Sequence, residues 1–224
     1  MSRAALLLLA DGRFPAGGHA HSGGVEAAVA HQAVHNTDSL QAFCRGRLHT
    51  TGLTMAGLAA AAAAGLDPPL LDDAADARTP APALRAVARR LGRQMIRAAR
   101  ATFPSEDLER LAAARPQGAH QPIVLGLAAR AAGLTPLDAA YATAYENAGG
   151  PATAAVRLLG LDPLDASGLL ARLSSDIDAV ATAAAQAADR VTAEGIDALP
   201  SASSPLLDIT GEQHAAWTVR LFAS

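Results

Sequence analysis

Thr135-Pro136-Leu137-Asp138 and Asp162-Pro163-Leu164-Asp165 are two copies of one helix-start signal, and nothing else in the chain constrains its fold as tightly. In each, an oxygen-bearing side chain stands where it can cap free backbone N–H groups. Proline follows at the first helical position, and an acid lies three residues after the cap. Gly133 and Gly160 sit just ahead of the two signals, where left-handed residues end the preceding helices. The residues between these marks agree with a helical reading. Half of the 224-residue chain is hydrophobic, yet only 3% is aromatic, and much of the apolar content is alanine. Alanine favours helix, β-branched residues are few, and no segment alternates as a half-buried strand does.

Residues 84–102 show the clearest amphipathic period. Leu84, Val87, Ala88, Leu91, Met95, Ala98 and Ala99 recur at helical spacing, and Pro104 ends the run. Further helices are expected at 25–34, at 39–64 from capping residues Asn36-Thr37-Asp38 to Gly65, after Ser105, and at 169–192. Residues 4–10 form a short helix or an extended arm. Residues 66–82 carry four prolines and read as a connection with room for a short helix. Glu146-Asn147-Ala148-Gly149-Gly150-Pro151 reads as a break or kink. The expectation is an all-α, single-domain bundle of about eight to ten helices. It divides into a flexible N-terminal arm with a glycine-rich loop (1–24), the bundle (25–194), and a linker with a detachable partner-binding tail (195–224).

The charge balance excludes several function classes. The net charge is −3, and every one of the eighteen basic residues is arginine, so the chain lacks the basic excess of a nucleic-acid binder. A single cysteine, Cys44, excludes a disulfide framework and suits a reducing compartment. The apolar run at 6–10 is too short to span a membrane and lacks a signal peptide's apolar region. A cytoplasmic protein without membrane or nucleic-acid contacts is expected.

The chemistry-bearing residues gather at the two ends. Pro15-Ala16-Gly17-Gly18-His19-Ala20-His21-Ser22 continues as Gly23-Gly24-Val25-Glu26, a glycine-rich loop entering a helix. Such loops serve a ligand, a metal or another chain, or are simply mobile turns. His19, His21, His31 and His35 form a histidine cluster, and a helix would put the last two on one face, a spacing that suits zinc or nickel. Gln32 stands where a zincin places its glutamate, and no cysteine or carboxylate set completes a catalytic site. No metal ligand is therefore assigned; His19 and His21 are the candidates.

Arg85, Arg89, Arg93, Arg97 and Arg100, with Arg90 beside them, share one side of the amphipathic helix. They either meet an acidic partner or a phosphate, or form a solvated face paired with neighbouring acids. There is no phosphate-binding loop, dinucleotide fingerprint or nucleophile elbow. The tail concentrates Trp217, Val219, Leu221 and Phe222 around Arg220; Trp and Phe bury large areas at interfaces, and arginine joins them at hot spots. It either folds onto a partner or packs on its own bundle.

Together the ends resemble the UreF family of urease accessory proteins. That family opens with Leu-Pro-x-Gly-x-x-x-x-Ser-x-Gly-Leu-Glu, where this chain has Phe14-Pro15-Ala16-Gly17 and Ser22-Gly23-Gly24-Val25-Glu26. It commonly closes on a histidine followed by Arg-Leu-Phe-x-Ser, matched by His214 and Arg220-Leu221-Phe222-Ala223-Ser224. Leu91-Gly92-Arg93-Gln94, His120-Gln121-Pro122-Ile123-Val124-Leu125-Gly126 and Ala154-Ala155-Val156-Arg157-Leu158 resemble interior family segments. His19 and His21 replace the family's loop aromatics, and Ala215 replaces an acid that often follows the tail histidine.

The resemblance implies an all-α homodimer with no enzymatic activity and no cofactor of its own. It implies a scaffold joining UreD (UreH in some systems) to the GTPase UreG for GTP-dependent nickel delivery to apo-urease. The partner-contact residues it points to are Pro15, Gly17, Ser22, Gly24, Glu26, His214, Trp217, Arg220, Leu221 and Phe222, with Arg220 as the tail's polar anchor. Two other readings stand beside it: a metal-dependent hydrolase built on the histidine cluster, and an α-helical regulator binding through the arginine face.

Overall fold

The capping residues act as their chemistry dictates. Thr135 Oγ1 accepts from the Asp138 N–H at 3.1 Å while the Asp138 carboxylate accepts from the Thr135 N–H at 2.8 Å. Asp162 Oδ1 likewise accepts from the Leu164 N–H at 2.8 Å. The computed structural model describes residues 3–223, so Ser224 of the terminal match lies outside the described residues. Among the described residues there are helices and turns but no strand.

In chain order the helices are α1 Arg3–Ala10, α2 Val25–Ala30, α3 Thr37–Arg47, α4 Leu53–Ala64, α5 Pro68–Ala77 and α6 Pro82–Thr102. They continue as α7 Glu106–Ala114, α8 Gln121–Ala131, α9 Pro136–Leu159, α10 Pro163–Arg172, α11 Ser174–Glu194 and α12 Pro205–Ala215. A π-helical turn, Leu48–Gly52, joins α3 to α4.

The alanine-rich α4 lies at the centre, against α8, α9 and α11. Its small side chains let these neighbours approach closely, and all of Ala59–Ala62 are fully buried (Ala59, Ala60, Ala61 and Ala62). Leu58, Ile123, Leu125 and Leu127 supply the bulk that alanine lacks. Around this centre, α6 packs on α8, α3 and α10 on α9, and α12 on α6 and α2. Gly92 marks a close approach of α6 to the segment ahead of α8, because a Cβ there would run into the Ala119 carbonyl oxygen. The segments around Gly92 and His120, separate in sequence, thereby meet.

The arginine face is partly consumed inside the fold. Asp72 on α5 is fully buried and accepts from Arg89 Nη1 at 3.0 Å, Arg115 Nε at 2.8 Å and the His120 N–H at 2.7 Å. Arg89 Nη2 also reaches Asp76 at 2.6 Å. A buried carboxylate is tolerated only when paired and hydrogen-bonded in this way. Arg85 donates to the carbonyls of Thr79 and Pro80, and Arg100 pairs with Glu109. Arg90, Arg93 and Arg97 stay exposed.

Several local expectations are corrected. The helix expected over 25–34 stops at Ala30, because Gln32 takes a left-handed φ of 59° and Asn36 caps α3 through Ser39. His31 and His35 therefore do not share a helical face. The proline-rich connection contains the full helix α5, capped by Asp67 on the Leu70 N–H with its prolines at the first turn, where a missing N–H costs nothing. Pro151 lies inside an unbroken α9: it removes one helical hydrogen bond, and burial of Asn147, Ala148, Pro151 and Ala152 holds the rod together. The bundle has twelve α-helices among the described residues, more than the expected eight to ten, because this connection and the tail are themselves helical.

The two ends are not loose. Leu9, Phe14, Ala16 and Phe222 are buried in the same apolar core as Leu58 and Leu125.

Candidate partner-binding site

The site is built where the glycine-rich loop meets the tail. Gly24, at φ 90°, turns the chain into α2 through a backbone conformation that a side chain would oppose. Ser22, fully buried, accepts from the Glu26 N–H at 3.3 Å. Glu26 then points its carboxylate at the tail. It accepts from His214 Nε2 at 2.9 Å, from the Leu221 N–H at 2.7 Å and from the Phe222 N–H at 3.0 Å. The Ala223 N–H adds a bond to the Ala20 carbonyl at 2.8 Å. Burial opposes ionisation of Glu26, but the Leu221 N–H, His214 and the Phe222 N–H outweigh it and hold the carboxyl below its ordinary range.

Two aromatic contacts complete the junction. Trp217 tilts against His214 at 4.7 Å between ring centroids, over the histidine that bonds Glu26. Phe222 is buried, and the Arg157 guanidinium lies 5.2 Å from the centre of its ring.

Ser22, Gly24, Glu26, His214, Trp217, Leu221 and Phe222 thus come together. Pro15 and Gly17 belong to the preceding turn: Pro15 is exposed, and Gly17 faces the Gln94 side chain. Arg220 is exposed rather than anchored in its own chain, beside Val219 and Leu221, which are 85% and 51% exposed. Of the loop histidines, His19 is exposed. His21 is buried, and that burial, with Arg90 and His19 nearby, pulls its pKa down to about 4. Among the described residues, no cluster of three or more His, Cys, Asp or Glu side chains is placed to hold a metal. Arg157 is the residue that sequence reasoning missed as a site residue. Its signal was present in the Ala154-to-Leu158 segment, but only the fold brings α9 to the tail.

A cavity of about 1440 Å³ opens beside the junction, bordered by residues of α1, the loop, α6, α9 and α12. Glu146 lines it, held by Gln121 Nε2 at 3.0 and 3.1 Å, and burial pushes its carboxyl above the ordinary range.

A model of the UreF family matches residues 34–174. The chain belongs to the UreF family. The urease accessory protein UreF of Mycolicibacterium vanbaalenii is 40% identical over 227 residues, covering 100% of this chain and 99% of its own. Its counterpart from Mycobacterium sp. (strain JLS) is 43% identical over 220 residues, 98% of this chain and 97% of its own. That of Mycobacterium marinum is 43% identical over 222 residues, at 99% and 98% coverage. The UreF relatives therefore align through both ends, including the loop and tail that the family model leaves out. Among the described residues, no helix is long and apolar enough to cross a membrane.

Proposed function

We propose that this protein is a urease accessory protein acting as a non-catalytic scaffold in the cytoplasm. It works as a homodimer that joins a UreD-type (UreH-type) protein to the GTPase UreG, so that nickel is inserted into apo-urease when GTP is hydrolysed. Nickel in this reading is cargo of the complex. The observation that carries the reading is the Glu26 junction. It fixes the glycine-rich loop and the tail into one surface and leaves the side chains of Val219, Arg220 and Leu221 projecting from it. A rigid platform presenting exposed apolar and cationic side chains suits recruitment of another protein better than chemistry on a small substrate. UreD binds at this junction.

The test is co-purification of the full chain with a UreD-type protein, then with UreG and GTP. Co-elution of wild type, with loss when Arg220 and Leu221 are both changed to alanine, is the expected result. Failure of wild type to co-elute with either protein overturns the scaffold reading.

A further inference from the structure

One side of α6 keeps charge that the fold does not use. The helix carries no acid. Arg85 donates to the carbonyls of Thr79 and Pro80, Arg89 pairs with Asp72 and Asp76, and Arg100 pairs with Glu109. Arg90, Arg93 and Arg97 belong to the same stretch. They are exposed, and among the described residues they have neither a hydrogen bond nor an ion pair.

Spacings of three and four residues set these three arginines in one row, about 10 Å long. Like charges so spaced repel, and nothing in the chain's own packing offsets that cost. The charge is not neutralised locally either: burial, and after it the charge of Arg90, hold the buried His21 of the loop at a pKa of about 4.

The row has no apolar centre. No large hydrophobic side chain of α6 is exposed, whereas Val219 and Leu221 are exposed beside Arg220 at the tail. Long-lived interfaces are anchored by side chains buried in pockets. Charge at a rim speeds encounter and selects partners by sign more than it delays their departure. A lipid surface holds an amphipathic helix by its apolar side, and that side of α6 is already packed on α8. The chain's net charge of −3 opposes a nucleic-acid backbone.

We propose that Arg90, Arg93 and Arg97 form an electrostatic docking row for an acidic helix of a protein partner that binds and leaves quickly. A helix with carboxylates three and four residues apart repeats the interval of the arginines, about 5–6 Å from one to the next. Laid along α6, it offers one carboxylate to each guanidinium, which receives it through paired N–H bonds. The inference goes beyond the scaffold reading and does not depend on the partner's name.

The experiment measures binding kinetics of the full-length protein, at low and high salt, with an alanine-based helical peptide. The peptide carries three glutamates at positions i, i+3 and i+7. A second peptide of equal charge has its glutamates scattered around the helix. Wild type is compared with Arg93→Gln, Arg97→Gln, the triple variant of Arg90, Arg93 and Arg97 to glutamine, and Arg190→Gln on α11. The triple variant is expected to bind the matched peptide about tenfold more weakly, through a slower association rate and with a flatter salt dependence. Each single variant shows part of that loss, and Arg190→Gln behaves as wild type. Thermal unfolding reports whether the variants keep the fold; should the triple variant lose it, the single variants decide. Equal binding of the matched and scattered peptides to wild type overturns the row as a site. So does equal binding of the matched peptide to wild type and the arginine variants, or its failure to bind wild type. Tighter binding of anionic vesicles or duplex DNA than of the matched peptide, lost in the same variants, also overturns it.

Discussion

Glu26 and its three donors are separated by 188 to 196 positions, yet one carboxylate ties them. A charged acceptor with several donors is the strong kind of hydrogen-bonded site, and leaving its partners unsatisfied is costly. Glu26→Gln keeps the shape but loses the charge and one acceptor oxygen. Its expected cost is about 1–3 kcal/mol of tail docking. Trp217, the chain's only tryptophan, reports it as a red shift in emission. The sign with pH follows from the lowered carboxyl. Its stabilisation is complete above the ordinary glutamate value of about 4.3 and is lost as pH falls through the still lower folded value. Wild-type emission should therefore shift on acidification below about pH 4, with Glu26→Gln lacking that transition. A wild-type emission unchanged by acid while the rest of the chain stays folded would remove Glu26 as the latch.

Helices here are placed by small residues as much as by large ones, so glycine-to-alanine changes split by context. Gly92→Ala drives a methyl into the Ala119 carbonyl oxygen at the α6–α8 crossing and should cost about 1–3 kcal/mol in urea unfolding. Gly46, within α3, has nothing within 4 Å of an added Cβ. Gly46→Ala should stabilise by about 0.5–1 kcal/mol, since only backbone entropy changes. Equal effects of the two would mean that close helix approach is not what Gly92 provides. At this scale much was legible beforehand. Caps at Thr135 and Asp162, the stop at Gly65 and the period of α6 are local and need no neighbour. Helix α5 was obscured because its prolines look like breakers until their place in the first turn is known. The continuity of α9 through Pro151 depends on packing, which no local pattern records.

Across the molecule, α4 is enclosed by α8, α9 and α11, whereas α1 and the residues after α12 lie outside that centre. Amide exchange should follow this order. The slowest amides are expected in α4, α8, α9 and α11, and the fastest in α1 and residues 218–220. Slow exchange confined to α12 and the tail would instead make the junction the most stable unit. The arginine face shows why charge counting stops short at this scale. Arg89 is consumed by the buried Asp72 while Arg93 and Arg97, a turn or two along the same helix, remain in water.

The sequence alone determined that this chain is helical, where several helices begin or end, and that its distinctive residues lie in the glycine-rich loop and the tail. These are local matters of capping, proline geometry and apolar period. Only the tertiary structure decided that loop and tail form one junction, that Glu26 is its centre, and that Arg157 and Arg220 border the same pocket. Glu26, His214 and Phe222 carry no periodic signal linking them; a contact across almost the whole chain exists only once α12 has packed on α2 and α6.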